Sequence, residues 1–204
     1  MSKIAAIILV GGEARRLQGR NKCDLKIGPK TCLEWTLALF KDQVHAIALS
    51  VGTQDRYNHA TSHPIIIDWP SPTQNSAVAY AILGSLSWAH QTGYDAIITT
   101  PVDTPLLPKS YAADLKQHAT HHAPTVCKTP DGLQGLHAIW PTSCLEQLKT
   151  SILEDNIFKV SKLHSVLNSR ELIIKTEDTD RFLNINNEAL FKVAQNTYSE
   201  QSTE

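Results

Sequence analysis

The chain has 204 residues, 42% of them hydrophobic, which is enough to bury one substantial core and is ordinary for a single α/β domain. Lys and Arg number 19 against 20 Asp and Glu, for a net charge of −1, so a global basic field for nucleic acid or an anionic membrane surface is excluded and anion recognition must be local. The only candidate apolar run near the start, residues 4–10, is too short to span a bilayer and lacks the charged flank and cleavage site of a leader, so a cytoplasmic location is expected.

Residues 4–10 form an uninterrupted apolar run, as expected of a parallel strand covered on both faces. The run ends in Gly11 and Gly12, which lack Cβ atoms and can bring backbone N–H groups close to an anion. Arg15, Arg16, Arg20 and Lys22 follow, cations suited to the oxygens of a triphosphate. The spacing of Gly11, Gly12 and Gly19 fits neither the G-x-x-x-x-G-K-[ST] loop of ATPases nor the G-x-G-x-x-G dinucleotide turn. Cys23, Cys32, Cys127 and Cys144 form no C-x-x-C pair and read as reduced thiols; Cys23 beside the cations is either a low-pKa thiolate or an incidental small residue.

Thr31-Cys32-Leu33-Glu34 is a capping box opening a helix whose stripe is Leu33, Leu37 and Phe40. Apolar segments at 46–51, 65–67 and 96–99 are predicted strands, and Val78, Ile82, Leu86 and Ala89 mark a helix between the last two, with Asn75 and Ser76 as candidate caps. Strand alternating with helix in this rhythm argues for a doubly wound sheet, whose ligands sit at the carboxyl ends of the strands. At one such end Asp103 is held between Pro101 and Pro105, a stiff carboxylate of the kind a Mg²⁺ site uses. The alternative is that Asp103 caps the helix after Pro108 or makes an Asx turn. His118, His121 and His122 are read as the polar end of a surface helix, since no cysteine or carboxylate completes a metal set. Further on, residues 143–146 open a helix with Leu145, Leu148 and Ile152 inward, and 172–174 form a late strand. Residues 188–198 form the last helix, with Leu190, Val193 and Ala194 on its face. One domain is expected over 1–198, with 199–204 a flexible tail.

The glycine–cation stretch matches L-x-G-G-x-x-x-R-[ML]-x-G-x-x-K at Leu9, Gly11, Gly12, Arg16, Leu17, Gly19 and Lys22, and so resembles the signature loop of the MobA-like nucleotidyltransferases, the family that includes molybdenum cofactor guanylyltransferase. Asp103-Thr104-Pro105 is similar to the family's D-[TS]-P turn, and Asn184-Ile185-Asn186 to its N-[IV]-N motif. The resemblance implies a three-layer, Rossmann-like nucleotidyltransferase fold with a mostly parallel central sheet. It also implies transfer of GMP from GTP to the molybdopterin cofactor, with Mg²⁺ as cofactor and pyrophosphate released. Carried over by motif, Arg16, Lys22 and Asp103 are catalytic, and Asp103 is the metal ligand. Leu9, Gly11, Gly12, Lys22, Ser50, Asp68 and Asp103 hold the nucleotide, and Asn184, Asn186 and Lys159 the acceptor. GTP, the molybdopterin cofactor and molybdoenzyme-maturation proteins are the implied partners. The chain departs from the family at Gln18 and Asn21, and has Asn75-Ser76-Ala77-Val78-Ala79 where G-P-L-x-G is usual. Of the cationic G-x-R-[RK] element only Lys159 remains. Use of CTP, another phosphorylated acceptor, or a nucleotide-binding role without turnover are therefore the alternatives.

Overall fold

Strand β1 (Ile4–Leu9) is buried at every position because helices cover both faces of the sheet around it. The computed structural model describes residues 3–10, 21–52 and 61–201, with side chains through Tyr198. After β1 come a short hairpin, β2 (Lys26–Ile27) and β3 (Lys30–Thr31), then α1 (Cys32–Phe40), β4 (Ala46–Val51), β5 (Ile65–Ile67), α2 (Ala77–Gln91) and β6 (Ala96–Pro101). The second half comprises α3 (Tyr111–Gln117), β7 (Thr125–Thr129), β8 (Gly132–Pro141), α4 (Leu145–Leu153), α5 (Val160–Val166), β9 (Arg170–Ile173) and α6 (Glu188–Gln201). α6 thus runs past the expected helix end at residue 198.

The main sheet has the order β5-β4-β1-β6-β8-β7-β9. β5, β4, β1 and β6 pair in parallel, β8 is antiparallel to both of its neighbours, and β9 is parallel to β7. This is the mostly parallel sheet expected, with one inverted strand. The chain leaves β1 toward β4 on one side and later returns to β6 on the other, so the switch point of the sheet lies at the carboxyl end of β1. Alternate residues of β1 serve different layers: Ile7 and Leu9 pack with α2, α4 and α5, while Ile4 and Ala6 pack with Phe40 of α1 and with α3.

α1 begins at the expected capping box: Thr31 Oγ1 accepts from Glu34 N at 3.1 Å, and Glu34 Oε2 accepts from Thr31 N at 2.7 Å. Two expected helix faces are corrected. Val78 is 40% exposed, because α2 presents Ala79, Ile82, Leu83, Leu86 and Ala89 to the core and turns its first residues outward. Val193 is 48% exposed, since the inward band of α6 starts one residue after Leu190 and runs Phe191, Ala194, Tyr198. α3 stops at Gln117, so His118 ends that helix and His121 and His122 lie beyond it, with no shared helix face. The β7–β8 hairpin was not anticipated; its turn, Pro130-Asp131, leads into Gly132 at φ +122°. Among the described residues no helix is long and apolar enough to cross a membrane.

Candidate active site

Three chain segments far apart in sequence meet at one ammonium group. Lys22 Nζ donates to Asp103 Oδ2 and to Asn186 Oδ1, each at 2.6 Å. The Lys22 and Asp103 side chains are only 16% and 14% exposed, so the ion pair is largely withdrawn from solvent.

The convergence follows from local anchoring. Each functional residue is the direct neighbour of a buried apolar one: Cys23 beside Lys22, Val102 beside Asp103, and Ile185 beside Asn186, all three in a single core cluster with Ile8, Leu49 and Phe191. Lys22 opens a short 3₁₀ turn, Lys22–Asp24, capped by Asn21, whose Oδ1 accepts from Cys23 N at 3.1 Å. Asp103 follows β6 in a turn braced by Thr104, whose hydroxyl donates to the Pro101 carbonyl at 3.1 Å. Ile185 N in turn donates to the Asp103 carbonyl at 2.9 Å, so the Asn184–Asn186 segment is tied by its backbone to the aspartate turn. Sequence reasoning passed over Thr104 as a brace; the signal was its place between a strand end and a proline.

Asp103 therefore caps no helix. Its Oδ1 is buried and has no hydrogen-bond partner among the described residues. A buried carboxylate oxygen left unsatisfied is costly, so the site is built to receive a further donor or cation there. The described residues include no group of three or more His, Cys, Asp or Glu able to enclose a metal ion. Mg²⁺ commonly binds through one or two carboxylates and completes its shell with substrate phosphates and water. The donor set fits an ion that arrives with a polyphosphate.

The neighbouring strand ends continue the site. Leu9 is the last residue of β1; its carbonyl accepts from Val102 N at 3.2 Å, and Val10 N donates to the Ser50 carbonyl at 2.9 Å. Ser50, buried near the end of β4, donates through Oγ to Asp68 Oδ1 at 2.5 Å. Burial raises the Asp68 carboxyl above its usual range, and the Ser50 hydrogen bond opposes that shift. Leu9, Ser50, Asp68 and Asp103 thus lie along the carboxyl edge of β1, β4, β5 and β6.

Asn187, not Asn186, caps the last helix, its Oδ1 accepting from Leu190 N at 2.9 Å, which leaves Asn186 for Lys22. Asn184 is half-buried on the same segment. Lys159 is exposed directly before α5, the helix that packs on β8, and is not brought to the Lys22 cluster. Segment 74–76 is a 3₁₀ turn in which Thr73 N donates to Ser76 Oγ at 3.1 Å, so Ser76 closes that turn, makes no side-chain cap on α2, and Asn75 is exposed. Cys23 is no reactive thiolate: burial, then the charge of Asp24, pushes its thiol up to about 12. Gly11, Gly12 and Arg16 lie outside the described residues.

Comparison with known proteins gives a consistent result. The model of the MobA-like NTP transferase domain matches residues 6–171. The molybdenum cofactor guanylyltransferase of Acidiphilium cryptum is 28% identical over 188 residues, 92% of each chain. Among solved structures, molybdopterin-guanine dinucleotide biosynthesis protein A from Archaeoglobus fulgidus superposes with a TM-score of 0.72 at 19% identity, covering 96% of this chain and 99% of that one. A 2-C-methyl-D-erythritol 4-phosphate cytidylyltransferase from Thermus thermophilus gives 0.67 at 15% identity, covering 98% and 100%. At these identities the two structures establish the fold.

Proposed function

Since the chain belongs to the MobA-like NTP transferase family, we propose that it is a molybdenum cofactor guanylyltransferase, transferring GMP from GTP to the molybdopterin cofactor. The observation that carries this reading is the meeting of Lys22, Asp103 and Asn186 at the switch point of the sheet, together with relatives of that name along most of the chain. A phosphate oxygen of the acceptor attacks the α-phosphorus of GTP; the bond from that phosphorus to the bridging oxygen breaks, and pyrophosphate departs with the electron pair. Such transfer depends mainly on alignment and on neutralising charge, so no protein nucleophile is needed.

In this reading Lys22 holds the departing phosphates, and Gly11, Gly12 and Arg16 supply backbone donors and a second cation by family resemblance. Leu9, Ser50 and Asp68 line the base side, and Asn184 lies on the acceptor side with Asn186. Asp103 would hold Mg²⁺, which would supply the remaining charge neutralisation on the phosphates. Lys159 is the proposed remote contact to the acceptor.

A second reading is transfer from CTP, because the base-side segment departs from the glycine-containing family sequence: residues 74–76 form a 3₁₀ turn closed by Thr73 and Ser76. One assay separates them: the protein is incubated with Mg²⁺ and each triphosphate in turn, with and without molybdenum-loaded molybdopterin, and pyrophosphate is measured. Release with GTP only when the pterin is present is the expected result. Preference for CTP transfers the conclusion to the second reading, and binding without release defeats both.

A further inference from the structure

The ammonium of Lys22 lies where a metal-binding carboxylate would otherwise stand open. It donates to Asp103 Oδ2, and Asn186 Oδ1 fixes it there from the other side, both at 2.6 Å. Asp103 Oδ1, on the same carboxylate, is buried and unpaired among the described residues. We propose that Lys22 is the resident counter-ion of Asp103: it keeps a free divalent cation off the carboxylate and releases its hold only when a triphosphate offers it other oxygens. The inference rests on the reading of Asp103 as the metal carboxylate.

The competition is electrostatic. A divalent ion on Oδ1 stands within one carboxylate width of a positive charge that is itself mostly withdrawn from water, where screening is weak. Without phosphates the two cations compete for one negative charge. A triphosphate brings several, enough to satisfy the ammonium and the divalent ion together. Cation and nucleotide then bind with positive coupling, each raising the affinity for the other by the same factor. Asn186 sharpens the effect, because its neutral oxygen orients the ammonium without adding charge that would attract the metal. The consequence is a site that ignores the free divalent ion and accepts the nucleotide-bound one.

The test is Mn²⁺ binding, followed by electron paramagnetic resonance on the full chain without nucleotide. Wild type is expected to bind Mn²⁺ weakly, K22M and K22Q at least tenfold more tightly, and D103N combined with either to lose the gain. Adding a non-hydrolysable triphosphate should tighten Mn²⁺ binding strongly in wild type and much less in K22M. Equal Mn²⁺ affinity in wild type and both Lys22 variants, lost in D103N, overturns the counter-ion role and leaves the metal assignment standing. Tighter binding in K22M that D103N does not abolish overturns the metal assignment and this inference together. Failure of both folded Lys22 variants to bind Mn²⁺ also overturns it, with circular dichroism verifying the fold.

Discussion

A single ammonium at Lys22 satisfies a carboxylate and an amide, and in the proposed reaction it must hold phosphates as well. Losing one such contact to a developing charge costs on the order of 3 kcal/mol, about a hundredfold in rate. K22M and D103N should each fold normally and retain at most a few per cent of wild-type pyrophosphate release; near-normal turnover in both would sink the assignment. Ser50 acts on Asp68 in the other direction. Burial raises the Asp68 carboxyl and the Ser50 hydroxyl restrains it, so S50A leaves the shift less opposed. The folded chain then holds that proton to higher pH, and affinity that depends on the carboxylate is lost earlier as pH falls. Calorimetric titration with GTP should show the acid limb of binding displaced upward in S50A, with severalfold weaker binding on the mildly acidic side; an unmoved limb would separate Asp68 from nucleotide recognition. Lys22 and Asp103 could be picked out from the chain because each sits at a fixed offset in a short motif. The contact between Lys22 and Asn186 could not, since it spans 164 positions and depends on Asn187 rather than Asn186 capping the last helix.

The β2–β3 hairpin and α6 form a clasp beside the site. Gly28 turns the hairpin at φ +58°, and a Cβ placed there would lie 2.2 Å from the Tyr198 ring. Tyr198 in turn packs on Trp35 with ring centroids 5.4 Å apart, and Lys30 Nζ lies 4.6 Å above the Trp35 ring. G28A therefore incurs both a left-handed backbone and a steric clash, and should destabilise the fold by about 1–3 kcal/mol. Urea denaturation measures the loss, and hydrogen exchange should localise its first opening to α6; an unchanged midpoint would show that the ring moves aside freely. Elements with an uninterrupted apolar run or a cap were readable beforehand, as in β1 and α1. The β7–β8 hairpin was not, although Pro130-Asp131-Gly132 is a turn signal, because β8 mixes Gln134 and His137 with apolar residues over a partly covered half. Val193 misled for a related reason: an apolar residue at helical spacing is as compatible with the rim of a face as with its centre.

Across the whole molecule, stability is tied to pH through two histidines buried in the half of the sheet that the sequence left undefined. His137 on β8 is 2% exposed, with Nδ1 3.3 Å from the Tyr111 hydroxyl and 3.4 Å from that of Thr100. His164 on α5 stacks on Trp140 at 4.4 Å, donates from Nε2 to the Gly135 carbonyl at 2.8 Å, and so accepts at Nδ1 from Ser169 at 2.9 Å. Burial pushes His137 down to about 3 and His164 down to about 4, so both are neutral in the folded chain. Unfolded, each titrates near 6.5. Above that value the folded and unfolded chains bind equal numbers of protons at these positions, and their contribution is complete. Below it the unfolded chain gains protons that the folded chain refuses, so stability falls as pH is lowered toward the folded values. At about 1.4 kcal/mol per pH unit, each histidine costs about 2 kcal/mol near pH 5. Urea unfolding at pH 7 and pH 5 should therefore show a loss of roughly 4 kcal/mol from the pair. H164Q, which keeps an amide donor for the Gly135 carbonyl and cannot charge, should recover about half of that difference. A loss in H164Q equal to that of wild type would mean that the Trp140–His164 stack opens to water before the sheet unfolds.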